Sequence, residues 1–258
     1  MEPLYTPANT KPAYQLNWGL TLFWRTQPIS DGTWLSDLQQ VVEPDGVRVI
    51  KHRFTTGDAS QFFVTTKPRV SPSEMIRSVK GRLQHLIRKQ LPKAFRRNYC
   101  VRSVGAAKRS TVEEYVASQL DHHQMADPRV QQRLAHFQKS DPVVDLSTPS
   151  FSAHGEYWYN LHVVVVNDGR WMEIREEVLS KLSRTIERVA VKHRHQLSRV
   201  GLLADHIHAT MRCLVDQSPQ DVALAYLNNC AYACGMKQVF QFSYYVGTFG
   251  EYDRNAVE

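Results

Sequence analysis

Two histidines flank an isoleucine in the stretch GLLADHIHATMRCLV, residues 201–215. The alternating apolar pattern around them predicts a strand, and side chains two apart on a strand share a face. His206 and His208 would therefore emerge side by side, directly after Asp205, as two neutral imidazoles able to clip a divalent cation. Elsewhere, EEYVASQ places Tyr115 and Gln119 four residues apart, hence on one face of a helix. A phenol can act as a nucleophile, and an amide oxygen can ligate a hard cation. Tyr252, in GTFGEYD, is a second candidate nucleophile. It stands two residues beyond Gly250, whereas Tyr115 stands ten beyond Gly105, and it has no downstream glutamine. Taken singly, a strand histidine or a helix tyrosine is more often structural than chemical.

The partner these groups would act on is suggested by charge. The 258-residue chain has a formal net charge of +7. Thirteen of its lysines and arginines fall between Lys67 and Arg109, against one acid, Glu74. Such a field attracts polyanions and speeds their capture. Lys80, Arg82, Arg88 and Lys89 lie on a helix expected over 72–90 and would run along phosphates, while Arg96 and Arg97 could meet a hairpin stem. Trp18 and Trp24 could stack on bases or fill the core. His122 and His123 follow Gln119 and fit a helix C-terminus better than a ligand set.

The elements that must position these residues occur twice. A strand over 14–25, a helix over 31–42, strands VRVIKHRF and QFFVTT, the basic helix opened by a capping box at SPSE, and the strand NYCVRSVG form a β-α-β-β-α-β order. A helix from Ser110 to about Leu120 follows. The order returns with YWYNLHVVVV, the amphipathic EIREEVLSKLSRTIERVAVKHRH, a strand pair through LSRVGLLADHIHATMRCLV, the capped SPQDVALAYLNNCAYACGM and QFSYYVGTFG. Ser71-Pro72 matches Ser218-Pro219 at an offset of 147, which sets Asp58 on Asp205, Ala59 on His206 and Gln61 on His208. An offset of 145 sets Gly105 on Gly250, Tyr14 on Tyr159 and Leu16 on Leu161. The expected fold class is α+β: two ferredoxin-like sandwiches related by a pseudo-twofold. The first half would span 1–120 and the second 156–258, joined by a polar linker over 121–155 containing one short helix. The halves are complementary. The second holds the histidines, and the first has the tyrosine helix, for which the eight residues after Gly250 leave too little chain.

Composition excludes a disordered or membrane-spanning chain: 42% of residues are hydrophobic, and no apolar run is long enough to cross a bilayer. The start, MEPLYTPANTKPAYQ, lacks the apolar core of a signal peptide. Four cysteines without disulfide or zinc-ribbon spacing point to a reduced, cytoplasmic setting.

These motifs together resemble the single-tyrosine HUH transposases, small insertion-sequence enzymes that cut and rejoin single-stranded DNA. ADHIHATM is similar to that family's Asp-His-hydrophobe-His strand, and SPSEMIRSVKGRL to its following helix. NYCVRSVG and YYVGTFG resemble its next strand, and STVEEYVASQ its tyrosine helix. The resemblance implies a ferredoxin-like fold, a Mg²⁺ or Mn²⁺ cofactor held by His206, His208 and Gln119, and attack by Tyr115 on a phosphodiester to give a 5′-phosphotyrosine. It implies single-stranded or hairpin DNA as partner, with no membrane.

The departure from the family lies in the duplication. Its members are generally homodimers in which one subunit's tyrosine helix can complete the other's site. Here the dimer would be fused, with one composite site in trans and the mirror site dismantled at Ala59 and Gln61. Two-ended transposition would then need sequential use of that site or a further homodimer. Two other readings stay open at this stage: a catalytically inactive, domesticated hairpin-binding protein, and a metal-independent endoribonuclease using His206 or His208 as acid and base.

Overall fold

The computed structural model describes residues 2–55, 58–235 and 238–252. Its first half contains β1 (Lys11–Gln15), β2 (Asn17–Trp24), α1 (Leu35–Val42), β3 (Val47–Phe54), β4 (Ala59–Thr66), α2 (Pro72–Ile87) and β5 (Phe95–Val104). The first half continues into α3 (Arg109–Ala117) and the start of α4 (Gln119–His122), and a connecting stretch follows with α5 (Pro128–Ala135), β6 (Lys139–Ser140) and β7 (Ser150–Phe151). The second half contains β8 (Gly155–Trp158), β9 (Asn160–Asn167), α6 (Glu176–His193), β10 (Gln196–Leu202), β11 (His206–Arg212), α7 (Pro219–Ala233) and β12 (Phe240–Thr248). The helix starts follow from local chemistry. The Ser71 hydroxyl accepts from the Glu74 amide while the Glu74 carboxylate accepts from the Ser71 amide, and Ser218 caps α7 through the Asp221 amide. Proline at the first helical position fixes φ at both starts without losing a needed donor.

The strands form two six-stranded sheets, ordered β3-β4-β2-β5-β8-β7 and β1-β12-β9-β11-β10-β6. Numbering the four strands of each β-α-β-β-α-β unit in chain order, both units have the neighbour order 4-1-3-2. The leading strand of each half then leaves its own sheet. β1 pairs in parallel with β12, and β8 pairs in parallel with β5. The registers match residue for residue: Pro12 faces Tyr244 as Gly155 faces Tyr99, and Gln15 faces Gly247 as Trp158 faces Arg102.

Other contacts between the halves are reciprocal too. The Ser73 amide donates to the Val215 carbonyl at 2.9 Å, and the Gln220 amide to the Pro68 carbonyl at 2.9 Å. The Asn17 amide donates to Thr248 Oγ1 at 2.8 Å, and the Asn160 amide to Ser103 Oγ at 3.2 Å. Gly105 and Gly250 sit where the ends of β5 and β12 cross. A Cβ on Gly250 would lie 2.1 Å from the Ser103 carbonyl oxygen, and one on Gly105 2.9 Å from Phe249 Cα. The crossing demands glycine at both places for lack of room.

These registers keep the offset of 147 through β4 and β11 and that of 145 through β5 and β12. They correct the first strand. Asn17 stands opposite Val104 and donates to Thr248, as Asn160 does toward Phe249 and Ser103, so the offset there is 143 and Leu16, not Tyr14, matches Tyr159. Leu16 and Tyr159 are each the bridging residue between a strand that pairs with one sheet and a strand that pairs with the other.

One hydrophobic core runs through both halves, and Trp18 meets Tyr159 across them at 5.2 Å between ring centroids. Trp18 and Trp24 are both fully buried, their indole N–H groups donating to Thr66 and Ser60. Neither ring is available to stack on a base, which corrects that expectation; both do packing work worth about 3–5 kcal/mol on truncation. Residues 121–155 hold α5 and two short strands that extend the two sheets, β6 on β10 and β7 on β8. All four cysteines are free thiols. No helix among the described residues is long and apolar enough to cross a membrane.

Candidate composite active site

In the second sheet, Leu161, Val163, Val165, Ile207, Ala209 and Met211 are buried toward the core, so alternation sends His162, His206, His208 and Thr210 to the opposite face. His206 and His208 lie 4.9 Å apart between ring centroids. Asp205 Oδ1 is 2.6 Å from His206 Nδ1 and Asp205 Oδ2 accepts from Arg170 at 2.9 Å. A carboxylate on Nδ1 fixes the ring and leaves Nε2 as the nitrogen outside that bond.

His162 is the site residue that the sequence reading missed. It faces Thr210 in the ladder, two residues along from His208 on the same face, and its Nε2 is 2.9 Å from His208 Nδ1. The only sequence signal was one polar residue in LHVVVV, and nothing short of the strand register ties it to His208.

The face carrying these imidazoles is roofed by the helix from the other half. α3 packs across β10 and β11. Gly201 makes this close approach possible: a Cβ there would lie 3.3 Å from the Val116 carbonyl oxygen and 3.7 Å from Gln119 Cβ. Gly201 stands directly opposite His208, so Gln119 packs on the strand that pairs with the histidine strand. The Tyr115 ring lies 5.7 Å from that of His208 and 6.4 Å from that of His162, in both cases edge-on. The predicted helix breaks at Ser118 into α3 and α4, yet the i,i+4 relation survives because Gln119 Nε2 donates to the Tyr115 carbonyl at 3.0 Å. The helix start is anchored across the halves. Glu113 is buried, bonded to Arg109 at 2.6 Å, and accepts from the Ser198 hydroxyl of β10.

Electrostatically the cluster is neutral. Burial, then the neighbouring imidazoles, push His208 down to about 2, and burial pushes His162 down to about 4. Burial also lowers His206, against the opposing pull of Asp205. Neutral imidazole is the form that ligates a cation. Gln119 is 1% exposed and its Oε1 has no hydrogen-bond partner. A buried acceptor left unpaired costs about 1–3 kcal/mol, so this oxygen has a lone pair to offer a ligand. Two imidazoles and an amide oxygen suit Mg²⁺ or Mn²⁺. Among the described residues no three His, Cys, Asp or Glu side chains converge to hold a metal ion.

The remaining candidates divide. His123 both closes α4, its amide donating to the Gln119 carbonyl, and places its ring 5.1 Å from His206. Tyr252 is half-exposed at the start of the tyrosine helix, its carbonyl accepting from the Gly105 amide. The second tyrosine ring against the histidines is instead Tyr245, 5.7 Å from His162. Among the basic residues, Arg88, Lys89 and Arg97 are exposed. Arg82 pairs with Asp45 at 3.1 Å, Arg96 with Asp58 at 2.9 Å, and Lys80 donates to the Arg97 carbonyl. Exposed pairs of this kind are worth 0–1 kcal/mol and can be exchanged for phosphate. In the mirror positions the first sheet has Gly19, Ala59 and Gln61 where the second has His162, His206 and His208.

Comparison with known proteins adds a sequence family. The profile of the family described as "Transposase IS200 like" matches residues 37–119, from α1 to Gln119, so it includes Tyr115 and leaves the histidine strand outside. No curated protein matches the chain. Among solved structures, a REP-associated tyrosine transposase bound to a REP hairpin is similar at 14% identity and a TM-score of 0.32, over 35% of this chain and 56% of that one. A glycine cleavage system transcriptional repressor is similar at 10% identity and a TM-score of 0.25, over 91% of this chain and 98% of that one. The family match, which includes Tyr115 and ends at Gln119, supports a transposase-like function for this chain.

Proposed function

We propose that the chain is a fused pseudo-dimer of two ferredoxin-like, single-tyrosine HUH units that nicks and rejoins single-stranded or hairpin DNA at one composite site. The carrying observation is that the Tyr115 ring of the first half lies 5.7 Å from the His208 imidazole of the second, while Gln119 packs on Gly201, the residue paired with His208. The reciprocal hydrogen bonds between the halves support the pseudo-twofold, since a twofold contact uses each patch twice.

His206, His208 and Gln119 would hold Mg²⁺ or Mn²⁺, which supplies charge stabilisation at the scissile phosphate when bound. The chain's own groups do the rest. Tyr115 Oη attacks the phosphorus, a P–O bond to tyrosine forms, and the bond to the 3′ oxygen breaks. The phenol gives up its proton and the departing 3′ oxygen takes one up, so the step balances without another reactant. Rejoining reverses it, the ester storing the bond energy. Arg88, Lys89 and Arg97, with Lys80, Arg82 and Arg96 once diverted from their present partners, would bind phosphates.

The test is a denaturing gel of full-length protein incubated with labelled hairpin DNA and Mn²⁺. A protein-linked band is expected, lost in Tyr115→Phe, His206→Ala, His208→Ala and with chelator. Persistence of the band in Tyr115→Phe would overturn the assignment of the nucleophile. Hairpin binding with no band in any metal would make the chain a binding protein, and RNA cleavage resistant to chelator would make it a ribonuclease.

A further inference from the structure

The two sheets treat their outer faces differently. That of the second half is roofed by α3, whereas no helix of the described residues packs on the corresponding face of the first. Its residues can be read across the registers. One row runs Arg53, Gln61, Thr21, Cys100, Glu156, Phe151 over β3, β4, β2, β5, β8 and β7. The next row contains Gly19, Arg102 and Trp158. Phe23 and Ala59 lie to the other side. Phe63 stands beside Gly19 in that second row and, like Ala59 and Trp158, is buried, so the open part of the face is the side toward β5, β8 and β7. Adjacent strands lie about 4.8 Å apart, so the shelf from β4 to β7 is about 19 Å wide.

We propose that the open side of this face binds an unpaired stretch of the DNA strand, with one base stacked on Phe151. This rests on the reading of the chain as a single-stranded-DNA enzyme and adds a subsite distant in sequence from its chemistry. Phe151 lines a hollow of about 450 Å³ shared with Phe23, Arg97, Asn98, Cys100 and Glu156. That volume falls in the range of small-ligand sites. Phe151 is 73% exposed, an aromatic presented at the rim of a polar hollow. Base stacking on such rings tolerates any sequence, and arginine supplies both cation–π contact and phosphate pairing. Arg102 already adopts that geometry, its guanidinium carbon 3.9 Å from the Trp158 ring centroid.

Glu156 makes the orientation definite. A carboxylate repels phosphate but accepts from an exocyclic amine, so the base edge faces Glu156 and the backbone lies toward Arg97. The seated base is therefore cytosine or adenine in preference to thymine. The alternative occupant, a second copy of the chain, fits less well, because a face bordered by Arg53, Arg97 and Arg102 would set like charges together.

The experiment is fluorescence anisotropy of full-length protein with labelled 12-nucleotide single strands, oligo-dC and oligo-dT, without added metal. Phe151→Ala and the double variant Phe23→Ala/Phe151→Ala are expected to weaken oligo-dC binding at least tenfold, and Glu156→Gln to narrow the dC over dT preference. Ultraviolet cross-linking of wild-type protein to oligo-dC should map to residues 150–156, which checks the site without any variant. Unchanged affinity in the double variant, with cross-links elsewhere, overturns the proposal; so does a dimer dissociated by Phe151→Ala. The two readings fail separately. A tyrosine adduct with unaltered strand binding in the variants sinks the subsite alone, and Phe151-dependent binding with no adduct sinks the enzyme alone.

Discussion

His162 Nε2 lies 2.9 Å from His208 Nδ1, and the two rings stack with 19° between their planes. A single proton must occupy that contact, since both imidazoles are held neutral by burial. If His208 is to offer Nε2 to a cation, the proton sits on its Nδ1 and His162 accepts it. Long-range ¹H–¹⁵N correlation spectra of the metal-free protein should show His208 as the Nδ1–H tautomer. An Nε2–H signal for His208 would contradict its role as a ligand. His162→Phe should weaken Mn²⁺ binding by about 10–100-fold, the usual effect of losing an orienting partner. His162→Gln, which keeps an acceptor, should recover part of it, and calorimetry reads both without reference to activity.

Gly201 sets how closely the tyrosine helix approaches the histidine strand. Gly201→Ala puts a Cβ 3.3 Å from the Val116 carbonyl oxygen, and the helix can yield a few tenths of an ångström. Gly201→Val adds two further carbons in the same direction and must lift Gln119. The alanine variant should retain nicking within about tenfold and the valine variant lose it by about 10²-fold or more, following the sensitivity of catalysis to misplacement near 1 Å. Strand binding in a gel-shift assay should change little in either. Equal activity in both variants would mean that the helix does not need its present seat.

A pH dependence of stability follows from His195, which lies away from the candidate site. It is buried with its ring nitrogens 3.0 Å from Tyr226 Oη and 3.1 Å from Gln217 Oε1, and burial, then His193, pushes it down to about 4. The unfolded imidazole titrates near 6.5. Between these values the unfolded chain binds the proton and the folded chain does not, so stability is full above 6.5 and falls as the pH drops toward 4. The loss from this one group is about 3 kcal/mol at its lower limit. Urea midpoints between pH 7 and 4 should fall less steeply in His195→Gln than in the wild type; parallel slopes would exclude His195 as a source.

Much of this architecture was legible in the chain because duplication doubles every weak signal. The strand over Asp205–His208 and the tyrosine helix have ordinary periodicities, but Asp58, Ala59 and Gln61 in the same register make the asymmetry visible in the sequence itself. The reading failed where tertiary pairing decides. β1 and β8 read as the starts of β2 and β9, and only pairing across the halves splits them off at Leu16 and Tyr159. Trp18 and Trp24 carry no sequence mark to separate a core indole from a base-stacking one; Thr66 and Ser60, which satisfy their N–H groups, come from the neighbouring strand. His162 was missed for the same reason, its partner being 46 residues away.

The last expectation concerns what holds the two contributions together. Glu113 is a buried carboxylate two residues before the tyrosine, bonded to Arg109 on its own helix and accepting from Ser198 on β10 of the other half. Removing the charge leaves Arg109 with Glu251 alone and removes the acceptor beneath Ser198. Glu113→Leu fills the volume without either bond, whereas Glu113→Gln retains an acceptor for Ser198. If this clamp docks the helix, hydrogen exchange in Glu113→Leu should accelerate over 109–122 by about ten- to a hundredfold, an opening free energy smaller by roughly 1.5–3 kcal/mol. The sheets beneath should keep their protection, and Glu113→Gln should lie between the two. Faster exchange spread over the whole second half would instead make Glu113 a determinant of global stability. No change at 109–122 would leave the approach to Gly201 as the main contact holding Tyr115 near the histidines.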